Sequence, residues 1–229
     1  MKLTKKFLSV ASATAIVAAG MVTPIAAQAE VSASMAFSNM YLWRGQNVGP
    51  TGGAISGSLD YSNESGLYAG VWTSSEAGGH ETDLYIGFSK EFSGVGVDVS
   101  YWNYLYPEDG GTGPGTGLSD TDAAEIVLGI SYMDFSFGYY MQVDSDNTDD
   151  NYITLGYSFG KYGLTYGMWD CEDPATCNSG AGEYTHLTLS YAATDELSFG
   201  ISKAMEDNTD GIEEDPLFQI TYSKDFDLK

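Results

Sequence analysis

Apolar and polar residues alternate with a period of two from Val31 onward, in segments of about ten residues. In the first segment Val31, Ala33, Met35, Phe37, Tyr41 and Trp43 share one parity, and Ser32, Ser34, Ala36, Ser38 and Arg44 share the other. The same split recurs in TDLYIGFSK, where Leu84, Ile86 and Phe88 oppose Asp83, Tyr85 and Ser89. It recurs again in FSFGYYMQV, where Phe135, Phe137, Tyr139, Met141 and Val143 oppose Ser136, Gly138, Tyr140 and Gln142. Twelve such segments can be counted up to FQITYSKDF, and none has the 3.6-residue period of an amphipathic helix.

The connections alternate as well. Short turns (SNES, KEFSG, MD, GK, ATDE) follow every second strand, and long polar loops such as LYPEDGGTGPGTGLSDTD, DSDNTDDN, DCEDPATCNSGAGE and MEDNTDGIEEDP follow the others. This asymmetry predicts an all-β fold: a transmembrane up-and-down antiparallel β-barrel of about 12 strands, with short periplasmic turns and long acidic extracellular loops. Closure is what lets strands cross lipid, because it satisfies every backbone polar group. A secreted sandwich or lipocalin-like barrel is the soluble alternative. Its strands are shorter and its apolar parity points inward, whereas a twelve-strand circumference leaves more interior than this apolar set fills.

The first 29 residues follow a different rule. Lys2, Lys5 and Lys6 precede a small, apolar run to Ile25, and Ala27-Gln28-Ala29 is an A-x-A site, so 1–29 reads as a cleaved secretory signal and 30–229 as the barrel. Losing three lysines and no acid takes the net charge from −23 to about −26. Export makes Cys171 and Cys177 candidates for a local disulfide. With no histidine or third cysteine nearby, a metal pair is not expected. So acidic a chain offers no basic patch for nucleic acid.

Arg44 is the only arginine, set against thirty-two acidic residues. Its parity places it in the lumen near the extracellular mouth. Asp60, Asp83, Asp98 and Glu125 share the lumenal parity of their own strands, with Asp83 and Glu125 toward the mouth. Carboxylate rings favour cations and basic rings favour anions, so these five are the selectivity candidates and the balance is cationic. Arg44 can instead clamp a loop and leave permeation untouched. Tyr41, Trp43, Tyr101 and Tyr139 are expected in an outer aromatic girdle, and Tyr61, Tyr132, Phe135, Phe159, Tyr162 and Tyr191 in a periplasmic one. Inward Trp72, Trp102, Tyr104, Tyr140 and Trp169 have the bulk to fill the bore.

Other chemistry is thin. His80 is expected in a Gly-rich loop, and His186 two residues before Thr188 in a hydroxyl-rich lumen makes no distinctive nucleophile pair, so no catalytic residues and no enzyme are expected. DSDNTDDN lacks the Gly and Glu of an EF-hand. Its acids read as a solvated surface, with weak divalent-cation binding as the alternative. No cofactor is expected.

The stretch SNMYLWRGQNVGPTGGAISGSLDYSNESGLYAGVWTSS resembles the opening of the TorF-family porins of proteobacterial outer membranes, through Arg44-Gly45, Asp60-Tyr61 and the Gly66-Tyr68-Gly70-Trp72 set. That resemblance implies passive transport across a Gram-negative outer membrane and names no substrate. Two functions follow as expectations. One is a porin-like channel for small solutes, cation-preferring, in contact with outer-membrane lipids. The other is a closed barrel acting in surface display, adhesion, reception or structure.

Overall fold

Strands form where β-branched and aromatic residues alternate with Ser, Thr and Gly. The computed structural model describes residues 30–49, 52–76, 79–106, 123–143, 150–170, 183–205 and 212–228. The signal segment and both cysteines lie outside these described residues. The chain forms β1 (Glu30–Ser38), β2 (Leu42–Trp43), β3 (Gln46–Asn47), β4 (Ala54–Ser62), β5 (Leu67–Glu76), β6 (Gly79–Phe92) and β7 (Val95–Leu105). It continues with β8 (Ala123–Tyr132), β9 (Phe135–Gln142), β10 (Asn151–Phe159), β11 (Tyr162–Asp170), β12 (Tyr184–Ala192), β13 (Leu197–Ala204) and β14 (Leu217–Leu228).

Twelve of these strands, β1 and β4 to β14, close into one antiparallel barrel, with β1 hydrogen-bonded to β14 on one side and β4 on the other. Neighbours in sequence are neighbours in the sheet, which is the meander that the alternation of turns and loops predicts. The β6–β7 turn shows how the short side is built: Ser93 and Gly94 have φ of 53° and 85°, the pair of positive angles that a type I′ hairpin needs.

The outer face is the apolar parity. Ile55, Ile86, Leu155 and Phe218 are 61, 58, 55 and 50% exposed, and the belt they belong to encircles the molecule. A protein in water rarely exposes so large a contiguous apolar surface; lipid is the solvent that suits it. On this face Phe135, Tyr157, Phe159, Tyr162, Tyr191, Phe199 and Phe218 touch ring to ring, with successive centroids 4.8 to 6.5 Å apart. This run crosses β9 to β14 and includes the expected periplasmic girdle members Phe135, Phe159, Tyr162 and Tyr191.

Two expectations are corrected here. His80 is not in a loop: β5 and β6 stay paired as far as Glu76 opposite Gly79, and His80 sits opposite Ser75. The first wall strand also stops at Ser38, so Tyr41 and Trp43 do not join the outer girdle. At Asn39 the chain turns inward. The Asn39 side chain takes over the ladder that β1 abandons: its Nδ2 donates to the Phe218 carbonyl at 2.8 Å, and the Ile220 N–H donates to its Oδ1 at 2.7 Å. The β14 edge is thus satisfied at the point where its partner leaves.

The barrel fixes a sidedness that can be read on whole cells. A cysteine placed at Asn63, in the β4–β5 turn, should be protected from a membrane-impermeant thiol label on intact cells. One at His80, at the opposite end, should react. The reverse pattern would invert the topology.

Candidate functional site

The inward chain makes a small hairpin inside the mouth. Leu42 pairs with Asn47 and Trp43 with Gln46, and the Val48 N–H donates to the Tyr41 carbonyl at 2.9 Å. At its tip Arg44 and Gly45 have φ of 46° and 85°, again a type I′ turn. Gly45 is required twice over. Its φ is one that side chains rarely adopt, and its α-carbon lies against the His186 ring, where a Cβ would overlap. Arg44 holds a left-handed conformation that costs a non-glycine residue of order 1 kcal/mol, so its side chain must be well rewarded.

That reward is visible in its surroundings. Arg44 is 3% exposed. Its Nη2 donates to both carboxylate oxygens of Glu125 on β8, at 2.6 Å each. Its Cζ lies 4.4 Å from the ring centroid of Trp43, 4.5 Å from Trp169, 4.6 Å from Tyr152 and 5.1 Å from Tyr140. Each distance is within cation–π range. Burial lowers the guanidinium pKa; the Glu125 charge and hydrogen bond, together with Tyr104 and Tyr152, outweigh it, and the net direction is up.

The rest of the hairpin is fastened through its backbone. The Tyr184 hydroxyl donates to the Arg44 carbonyl at 3.0 Å, Ser202 to the Gly45 carbonyl at 3.3 Å, and Gln219 Nε2 to the Met40 carbonyl at 3.2 Å. A hydrogen-bonded chain runs behind it, from the Tyr152 hydroxyl to His186 at 2.6 Å, His186 to Thr188 at 3.1 Å and Thr188 to Ser202 at 2.8 Å. All four side chains are 5% exposed or less, so His186 serves as a strut of the plug. On the opposite wall the Tyr41 hydroxyl donates to Glu81 at 2.7 Å. Burial, followed by the Glu81 and Asp83 charges, raises the Tyr41 pKa and keeps it a neutral donor. Gln46 reaches the last extracellular segment, where its Oε1 accepts from the Glu213 N–H at 2.9 Å.

Residues 23–210 match the family model Gcw_chp, described as a bacterial protein of unknown function. The chain is a Gcw_chp protein. No curated relative matches it. Among solved structures, a membrane protein from a study of in-meso crystallization is 10% identical, with 86% of this chain and 84% of that one aligned and a TM-score of 0.53. The KdgM porin is 9% identical over 86% and 99% of the two chains, with a TM-score of 0.46. The NanC porin is 10% identical over 87% and 99%, with a TM-score of 0.43. At such identities the likeness is one of fold, and the Gcw_chp chain folds as a closed antiparallel barrel of twelve strands.

Below the plug, two carboxylates in the Gcw_chp lumen are held by tyrosines. Asp60 accepts from Ser58 at 2.6 Å and from the Tyr85 hydroxyl. Asp98 accepts from the Tyr68 hydroxyl at 2.9 Å. Each tyrosine lies over a glycine on the neighbouring strand, Tyr85 over Gly70 and Tyr68 over Gly87, where a Cβ would strike the ring. Tyr68 and Gly70, two of the motif positions, therefore belong to a device that aims phenols at carboxylates.

The five selectivity candidates thus fall into two levels. Arg44, Glu125 and Asp83 lie at the plug, with Asp83 4% exposed. Asp60 and Asp98 lie toward the periplasm and are half-buried. Three carboxylates were overlooked in the sequence. Glu81 shares parity with Asp83, but β6 starts earlier than its apolar pattern does. Asp225 and Asp227 share parity with Gln219 and Thr221, and they pair with Ser34 and Ser32 on the lumenal face.

Proposed function

We propose that this protein is a narrow outer-membrane channel for small solutes, exported through its N-terminal signal and preferring cations. The observation that carries this reading is the charge inside the barrel. Among the described residues, the fixed cation inside the lumen, Arg44, is already neutralised by Glu125, while Asp60, Asp98, Asp225 and Asp227 face the lower lumen. Fixed negative charge along a narrow low-dielectric passage raises the local cation concentration. The acidic loops add to this field within about 8–10 Å of the mouth at physiological salt. The resemblance of the 38–75 stretch to TorF-family porins points the same way. No catalytic role is assigned to His186, whose partners are all buried with it.

The test is the reversal potential of the refolded protein in a planar bilayer under a KCl gradient. Wild type should prefer K⁺. Asp98→Asn and Asp225→Asn should each move the reversal potential toward zero, and the shifts should shrink as salt rises. Preference for Cl⁻ would defeat the assignment.

One observation favours a second reading. Tyr152, Trp169 and Tyr184 are 0, 1 and 2% exposed, and Trp43, Tyr140 and Ile212 pack against them. A barrel sealed at this level is a display or structural scaffold, and it would carry no current in any variant that retains the seal.

A further inference from the structure

The box around Arg44 is made mostly by the wall, while its occupant comes from a loop. Tyr140 on β9, Tyr152 on β10 and Trp169 on β11 present their rings to the guanidinium, and Glu125 on β8 presents both carboxylate oxygens. Four adjacent strands thus carry a preformed receptor for a flat monocation. The hairpin adds the Trp43 ring and, through Arg44, the cation itself. A hairpin needing only to be fastened has its backbone bonds to Tyr184, Ser202 and Gln219. Arg44 is different, because it accepts a left-handed backbone to place its charge in the box.

We infer that the Tyr140–Tyr152–Trp169–Glu125 box is a binding site for solutes bearing a guanidinium group, and that Arg44 is its tethered, displaceable occupant. The chemistry selects the class. Aromatic faces suit weakly hydrated organic cations over K⁺ or Na⁺, and several rings around one carboxylate suit the planar, delocalised guanidinium, which stacks on ring faces, over a strongly hydrated point-charge ammonium. Tethering gives Arg44 an effective concentration in the millimolar range, so a free solute competes only when abundant, and its entry frees the hairpin tip. Binding at the box does not require a conducting barrel; opening on displacement rests on the proposed channel.

Removing the occupant tests this. Refolded R44A in detergent is titrated with methylguanidinium, read by tryptophan fluorescence, since Trp43 and Trp169 both border the site. We expect saturable binding, at least about tenfold weaker in R44A/E125Q, as loss of a charge-assisted partner implies. Potassium should not compete at equal concentration. Wild type should show no saturation in the range that saturates R44A. If R44A fails to refold, R44K carries the same titration, its point charge leaving the box accessible to competition. No saturable change in the refolded variant, equal binding after E125Q, or equal competition by K⁺ would overturn the site. The channel assignment is judged separately: guanidinium binding without current in any variant defeats the channel and leaves the box, whereas current without binding does the opposite.

Discussion

Replacing residues 40–49 with a Gly-Ser segment of equal length should turn a small or intermittent conductance into a large, steady one. Twelve strands enclose more space than the eight whose own side chains fill a barrel. The upper lumen is nonetheless densely filled, with Leu42 1% and Arg44 3% exposed. Much of the filling is therefore loop, and a flexible polar linker has neither the apolar anchors nor the ion pair to stay inside. Current is limited at the narrowest section, so we expect single-channel conductance to rise severalfold on clearing it. Planar-bilayer recording of both proteins decides the matter. A linker variant as silent as a silent wild type would mean that Trp169, Tyr152 and Tyr184 close the bore unaided.

The same hairpin marks where the sequence stops being readable. The wall was legible because lipid and lumen impose opposite chemistry on alternate residues, and a one-residue slip would put every apolar side chain on the wrong face. Asp60, Asp98, Asp83 and Glu125 follow from that rule and do face inward. It fails at SNMYLWRGQ, where the alternation runs on through Tyr41 and Trp43 although the strand has ended. Apolar side chains are wanted on both sides of the break, first by lipid and then by the aromatic interior of the plug, so the period carries no sign of the change. The local signals were Asn39, able to cap an abandoned ladder, and Arg44-Gly45, a dipeptide suited to positive φ. Arg44 still reached the lumen, by way of a hairpin rather than by strand parity. The pairing of Tyr68 over Gly87 and Tyr85 over Gly70 was hidden for another reason: it depends on the register between β5 and β6, which no single segment contains.

The second large effect concerns the ion pair itself. Arg44→Ala and Glu125→Gln should each destabilise the docked hairpin strongly, and the double substitution should cost much less than their sum. Taking one partner from a buried pair leaves a charge without compensation, typically worth about 3–5 kcal/mol. Removing both leaves only lost packing and the rings of the box, so the coupling should approach the upper part of the roughly 0.5–3 kcal/mol range seen for interacting residues. Salt should matter little, because the two side chains are each 3% exposed and screening acts mainly on exposed charges. The cost also has a ceiling. Once an unpaired charge costs more than docking contributes, the hairpin leaves the lumen and the charge returns to water, so global unfolding in urea will register only the docking energy. Two measurements on refolded barrels separate these effects: urea unfolding for the barrel, and protease cleavage within residues 41–48 for the hairpin. We expect the single variants to be cut there far faster than wild type while their barrels survive, and the double variant to lie between. Single variants as resistant as wild type would mean that the backbone bonds from Tyr184, Ser202 and Gln219 hold the plug without help, and that the chain's one arginine is not its latch.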